Sequence, residues 1–282
     1  MVHKLAIVAI TGITISAVCL GAGGALEGKD FGPDFTYGRF SLFDSRPRCD
    51  AVPVAAGMTK RDLDWDGSDH LSLTAPGQAT YTPGTDDRVH VSGDPQLVSH
   101  VQVRDGKVEL DCRGWHSGDN LTIALPGREF NKFAIAGTGH LILDKLNQSQ
   151  VSLAIGGSGH IQANGKLNDL KLAVGGSGEM DLDQVTADHG RLEIGGSGTV
   201  RAKGAIQELD IKIGGSGRAD FGAVASRIAT VKIGGHGDVD IAPTDEADIS
   251  IGGSGDVNLH SNPKQLETHI GGSGRIHHLA NG

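Results

Sequence analysis

Six serines, Ser158, Ser177, Ser197, Ser216, Ser254 and Ser273, each stand third in a Gly-Gly-Ser-Gly tetrapeptide. Glycine-flanked serines and glycine-rich loops accompany nucleophilic catalysis, phosphate binding and calcium binding, so each chemistry can be tested on spacing. A nucleophile elbow, Gly-x-Ser-x-Gly, needs a fifth-place glycine, where His160, Glu179, Thr199, Arg218, Asp256 and Arg275 stand. A phosphate cradle needs a helix to open after the glycines, whereas alternating apolar and polar residues follow here, the pattern of a strand. The calcium nonapeptide Gly-Gly-x-Gly-x-Asp needs aspartate at the sixth place, which holds Met180, Val200, Val239 and Val257. All three chemistries fail, and the serines read as structural corner residues.

Other candidates are sparser. Asp238, Asp240, Asp256 and Asn258 stand at outward positions after two successive corners. If neighbouring turns of chain stack at about 5 Å, these oxygens could share a hard cation such as Ca²⁺; the alternative is a solvated acidic face. His277 and His278 alternate faces on a strand and do not chelate together. The cysteines are Cys19, Cys49 and Cys112. Cys19 follows Ser16-Ala17-Val18, where bulky Val18 departs from the small residue that a lipoprotein cysteine requires.

The corners recur with a period. Ile155-Gly156-Gly157-Ser158-Gly159 returns beginning at Val174, Ile194, Ile213, Ile233, Ile251 and Ile270, after a degenerate copy, Ile135-Ala136-Gly137-Thr138-Gly139. Successive spacings are 20, 19, 20, 19, 20, 18 and 19 residues, the mark of stacked repeats. Each corner is flanked by period-2 alternation, as in Leu170-Lys171-Leu172-Ala173-Val174 and Glu179-Met180-Asp181-Leu182. Inward positions then form columns: Ile161, Met180, Val200, Ala219, Val239, Val257 and Ile276, and two residues later Ala163, Leu182, Ala202, Phe221, Ile241 and Leu259. Connections such as Ala163-Asn164-Gly165-Lys166 are too short for a crossover helix, so the chain must coil. The expected fold is an all-β, right-handed parallel β-helix of about eight coils of 18–20 residues over 127–282, preceded by a β-rich N-terminal cap over 49–126. Glycine at the corner is expected for its tolerance of positive φ and its missing Cβ, with the serines able to form a hydroxyl ladder.

Lys4 followed by an uncharged, largely apolar run from Leu5 to Leu26 reads as a signal peptide over 1–25, and 26–48 as a linker. Removing Lys4 takes the formal charge from −9 to about −10, which with no Lys/Arg cluster argues against nucleic acid. Export leaves Cys49 and Cys112 as an even pair in an oxidising compartment, predicting a disulfide between them. Within the cap region, Asp105-Gly106 between two alternating runs signals a hairpin.

Taken together, Val89-His90-Val91-Ser92-Gly93-Asp94, Asp105-Gly106-Lys107-Val108-Glu109-Leu110, Leu121-Thr122-Ile123-Ala124-Leu125-Pro126 and the Gly-Ser-Gly corners resemble a bacterial family, the putative auto-transporter adhesin, head GIN domain, over roughly residues 50–282. The resemblance implies a signal-bearing envelope or secreted protein with a β-helical body. It carries over no catalytic residue and no cofactor.

Three functions remain in view. The first is a non-enzymatic adhesion, binding or structural module of the periplasm or cell surface, whose partner is an envelope protein or polysaccharide. A polysaccharide-acting β-helix enzyme is the second, but it needs long loops walling a cleft with paired acids, and coils of 18–20 residues leave no room for them. The third is Ca²⁺-assisted binding of carbohydrate or protein at the acidic positions.

Overall fold

The computed structural model describes residues 46–49, 58–114 and 120–279. All of them belong to one compact unit, Phe43–Gly282. The signal and lipoprotein readings, at 1–25 and Cys19, lie outside the described residues.

The repeats form the expected parallel β-helix. The coils are β9 (His140–Ile155), β10 (His160–Val174), β11 (Glu179–Ile194), β12 (Thr199–Ile213) and β13 (Arg218–Ile233), each a strand of 15 or 16 residues that bends midway. The next coil is split at Ala242 before Pro243 into β14 (Asp238–Ile241) and β15 (Pro243–Ile251). After it come β16 (Asp256–Leu259), β17 (Gln265–Ile270) and β18 (Arg275–His278). Ile161, Met180, Val200, Ala219, Val239, Val257 and Ile276 pair in one parallel register, and all but the last are fully buried.

The ladder runs through the corners as well as the strands. In one corner the N–H groups of Gly195, Ser197 and Thr199 donate to the carbonyls of Val174, Gly176 and Gly178 in the coil before, at 3.0, 3.0 and 3.1 Å. Of the two properties expected of glycine here, tolerance of positive φ is not used, because no glycine of the repeated Gly-Gly-Ser-Gly corners has φ in the left-handed region. What the corner needs is close approach. A Cβ on Gly217 would lie 2.6 Å from the carbonyl oxygen of Gly198 and 2.5 Å from Ile194 Cγ2, whereas one on Gly195 would meet nothing within 4 Å. Ala136 fills the place of that first glycine in the degenerate corner.

Left-handed φ is found instead at the midway bend, at Lys145 (56°), Gly165 (144°), Gln184 (55°) and Gly204 (128°). Here the alternating spacing finds its cause. Leu182 pairs with Ala163 and Val185 with Gly165, so Asp183 and Gln184 oppose the single residue Asn164. The same two-against-one bulge sets Asp144 and Lys145 against Asn164, and Phe221 and Gly222 against Ala202. Over the first five coils those with the bulge take 20 residues and those without it 19, while the coil split at Ala242 takes 18.

At the N-terminal end the stacking order departs from chain order. β2 (His70–Leu73) and β3 (Gln78–Tyr81), joined by a Thr74–Gly77 corner, stack in parallel on β8 (Lys132–Ile135) and β9. On their other side they carry β6 (Lys107–Leu110) and β7 (Leu121–Ala124), also parallel. A coil from the middle of this region therefore lies outside an earlier one. Antiparallel strands then close the end: β4 (Arg88–Gly93) on β7, β1 (Lys60–Asp64) on β4, and β5 (Val101–Arg104) on β6. The last pair is the expected hairpin, turning at Asp105 (φ 50°) and Gly106 (φ 69°). A one-turn helix, α1 (Pro95–Val98), buries Leu97 and Val98. Trp65, Tyr81, Phe130 and Phe133 pack edge-on or tilted at ring distances of 5.0–5.8 Å.

Candidate binding surface

Residues that follow a corner by one and by three positions point outward, and parallel register stacks them into two columns on one sheet face. The first runs His140, His160, Glu179, Thr199, Arg218, Asp238 and the second Ile142, Gln162, Asp181, Arg201, Asp220, Asp240. Acids and bases interleave. Arg201 is ion-paired to Glu179 and, at 3.5 Å, to Asp181; Arg218 reaches Asp238 Oδ2 at 2.5 Å and Asp240 Oδ2 at 3.8 Å. His160 Nε2 lies 3.2 Å from Asp181 Oδ2 without the alignment of a hydrogen bond. His140 packs edge-on against His160 at 4.8 Å, and burial, then the neighbouring imidazole, push its pKa down.

The four cation candidates are neighbours, as the spacing implied, but the three aspartates each already have an oxygen engaged. Asp240 Oδ1 accepts from Asn258 Nδ2 at 3.0 Å and lies 2.9 Å from His260 Nε2, Asp238 is held by Arg218, and Asp256 Oδ1 accepts the Arg275 N–H at 3.0 Å. A cation entering here has to displace a guanidinium and an amide. The corner serines do form one exposed column, joined through backbone N–H groups from Ser158 to Ser273. Their hydroxyls bond to no neighbouring coil among the described residues, so the expected ladder is one of peptides.

Cys49 and Cys112 are joined by a disulfide with a Cα–Cα distance of 4.9 Å. Beside it is a cluster that the sequence reading passed over: His100 Nδ1 is 2.6 Å from Asp111 Oδ1, and Asp111 Oδ2 accepts from Gln102 Nε2 at 2.5 Å. His100, Asp111 and Cys112 are spaced as metal ligands, but the Cys112 sulfur is committed to the disulfide. The signal was present in the turn: counting outward from Asp105-Gly106 sets Val101 opposite Leu110, and the next pair out is His100 with Asp111.

Chemically, the outward faces are ladders in which acids pair with arginines of the neighbouring coil. Each coil after residue 135 returns within 18 to 20 residues, so no long loop rises from them to wall a cleft. Among the described residues no helix is long and apolar enough to cross a membrane.

Comparison with known proteins agrees with this geometry. The family model of the putative auto-transporter adhesin, head GIN domain, matches twice, over residues 69–174 and 151–263. Among solved structures, a putative adhesin from Parabacteroides distasonis superposes with a TM-score of 0.68 at 20% identity, over 78% of this chain and 95% of that one. A putative adhesin from Parabacteroides merdae gives 0.66 at 18%, over 77% and 95%, and a putative lipid binding protein from Parabacteroides distasonis gives 0.65 at 18%, over the same shares. At such identities the likeness is one of fold. No curated protein is similar in sequence to the chain.

Proposed function

The chain belongs to the putative auto-transporter adhesin, head GIN domain family, and from that premise we propose that it is an exported, non-enzymatic envelope module whose rigid β-helix presents its flat faces to a protein or polysaccharide partner. The observation that carries this reading is the constancy of the coils: with 18 to 20 residues per coil, outward side chains align in columns, and Glu179, Asp181 and Asp238 pair with arginines of the neighbouring coil. Such a surface suits extended contact, where many weak polar contacts add, better than transition-state stabilisation, which needs donors and acids focused on one atom. The Cys49–Cys112 disulfide supports export, since such bonds persist in oxidising compartments. Calcium at Asp238, Asp240, Asp256 and Asn258 is not required by this reading.

Fractionation of the producing cell with surface proteolysis, followed by binding of the exported chain to isolated envelope polysaccharide and to whole cells with and without Ca²⁺, tests it. The expected result is an extracytoplasmic protein that binds saturably and leaves the polysaccharide intact. A cytoplasmic location, or release of new reducing ends from the polysaccharide, would overturn it.

A further inference from the structure

The far end of the stack is finished differently from the near one. β17 pairs with β15 and β18 with β16, and among the described residues no strand covers their other edges. Leu266 and Ile270, which continue the buried columns of Ala247 and Ile251, are 40% and 48% exposed, and Leu279 is 47% exposed. Soluble proteins usually guard such an edge with lysine, proline or an inward charge. Gln265–Ile270 has none of these, its core-facing residues being Leu266, Thr268 and Ile270.

We propose that this end is an interface for a second copy of the same chain, whose β17 adds antiparallel to the first across a two-fold axis at Thr268. The sequence of the strand selects this occupant. Directly opposite residues in an antiparallel pair share a face, so an allowed register must set inward residues against inward ones. With Thr268 on the axis, Leu266 faces Ile270 of the second copy and Glu267 faces His269 of the second copy, and symmetry repeats both contacts. Shifting the axis to Glu267 or His269 sets like groups against each other. Glu267 and His269 already share the outward face, with Oε1 and Nδ1 3.9 Å apart. The N-terminal end cannot take this edge instead, because antiparallel β1, β4 and β5 close it and β1 carries Lys60, Arg61, Asp62 and Asp64. The contact is tail to tail and closes at two copies.

Sedimentation equilibrium on the full chain reads this directly, with a dimer as the expected result. Glu267→Lys and His269→Glu should each weaken association about tenfold, and the double exchange should restore it, because a base and an acid then face each other again. Oxidation of Thr268→Cys should trap a covalent dimer above the background of the unsubstituted chain, and Glu267→Cys should not. A chain that stays monomeric to its solubility limit overturns the proposal. So does a dimer that is indifferent to the charge exchange or that does not crosslink through Thr268→Cys.

Discussion

Two ways of ending an apolar column meet in this molecule. The repeats from 132 onward need no device of their own, since each coil covers the one before with the same aliphatic side chains and the same peptide ladder. The region from 46 to 131 has no further coil to lean on. It assembles instead an out-of-order pair of coils, antiparallel strands, three aromatic rings packed with Phe133 of β8, and a disulfide. Regularity thus suffices inside a stack, where neighbours supply the partners, while an end has to be built from specific long-range contacts.

The largest test of that contrast is a charge inside the stack. Val239 is fully buried between Ala219 and Val257. Val239→Asp buries a carboxylate with no cation beside it and should cost about 5 kcal/mol. Denaturant unfolding should then lose its single cooperative step, with coils near 239 exchanging amide hydrogens before the N-terminal end. Uniform loss of protection would mean that the repeats do not behave as nearest-neighbour units.

The disulfide should act on the other region. It links residues 63 apart, and closing a loop of that size costs the unfolded chain about 4 kcal/mol in entropy. Replacing Cys49 and Cys112 with serine should therefore lower stability by about 3–4 kcal/mol, with exchange rising across 60–125 while 160–260 stays protected. Equal loosening of both regions would remove the distinction between end and stack.

The stack was more legible in the sequence than the end, for a physical reason. Period-2 alternation and a fixed corner reveal strand, column and coil because neighbouring copies repeat the same local choice. The bulge that makes coils alternate between 20 and 19 residues was visible only as a count, because Lys145, Gln184 and Gly222 share no residue type. The out-of-order stacking of β6 and β7 outside β2 and β3 depends on long-range pairing, which no local pattern records. Nor was the status of the acidic candidates legible, since it depends on Arg218, a full coil away, reaching Asp238 and Asp240.

Within the corner, the glycines divide by what surrounds them. Gly196→Ala drives a Cβ into the carbonyl oxygens of Gly175 and Gly176 and should cost about 2–3 kcal/mol. Gly195→Ala meets open space and should stabilise by about 0.5 kcal/mol through a stiffer unfolded chain. Thermal unfolding of the two variants checks the order, and equal losses would show that backbone freedom, not close approach, selects these glycines.

The smallest effect separates the corner's backbone from its side chain. Ser197 donates its N–H to Gly176 at 3.0 Å, a bond that Ser197→Ala keeps, and the hydroxyl it removes is exposed and bonded to no neighbouring coil among the described residues. Stability should change by less than about 0.5 kcal/mol, as for most surface substitutions away from caps and buried networks. His236 occupies the same column without disturbing it, its N–H donating to Gly215 at 2.9 Å, so the column tolerates a ring where its neighbours carry a hydroxyl. A loss above about 1.5 kcal/mol would mean that the serines form a hydroxyl network in solution. A loss of binding to the partner with stability unchanged would instead put the exposed serine column, and not the charged ladders beside it, at the contact surface.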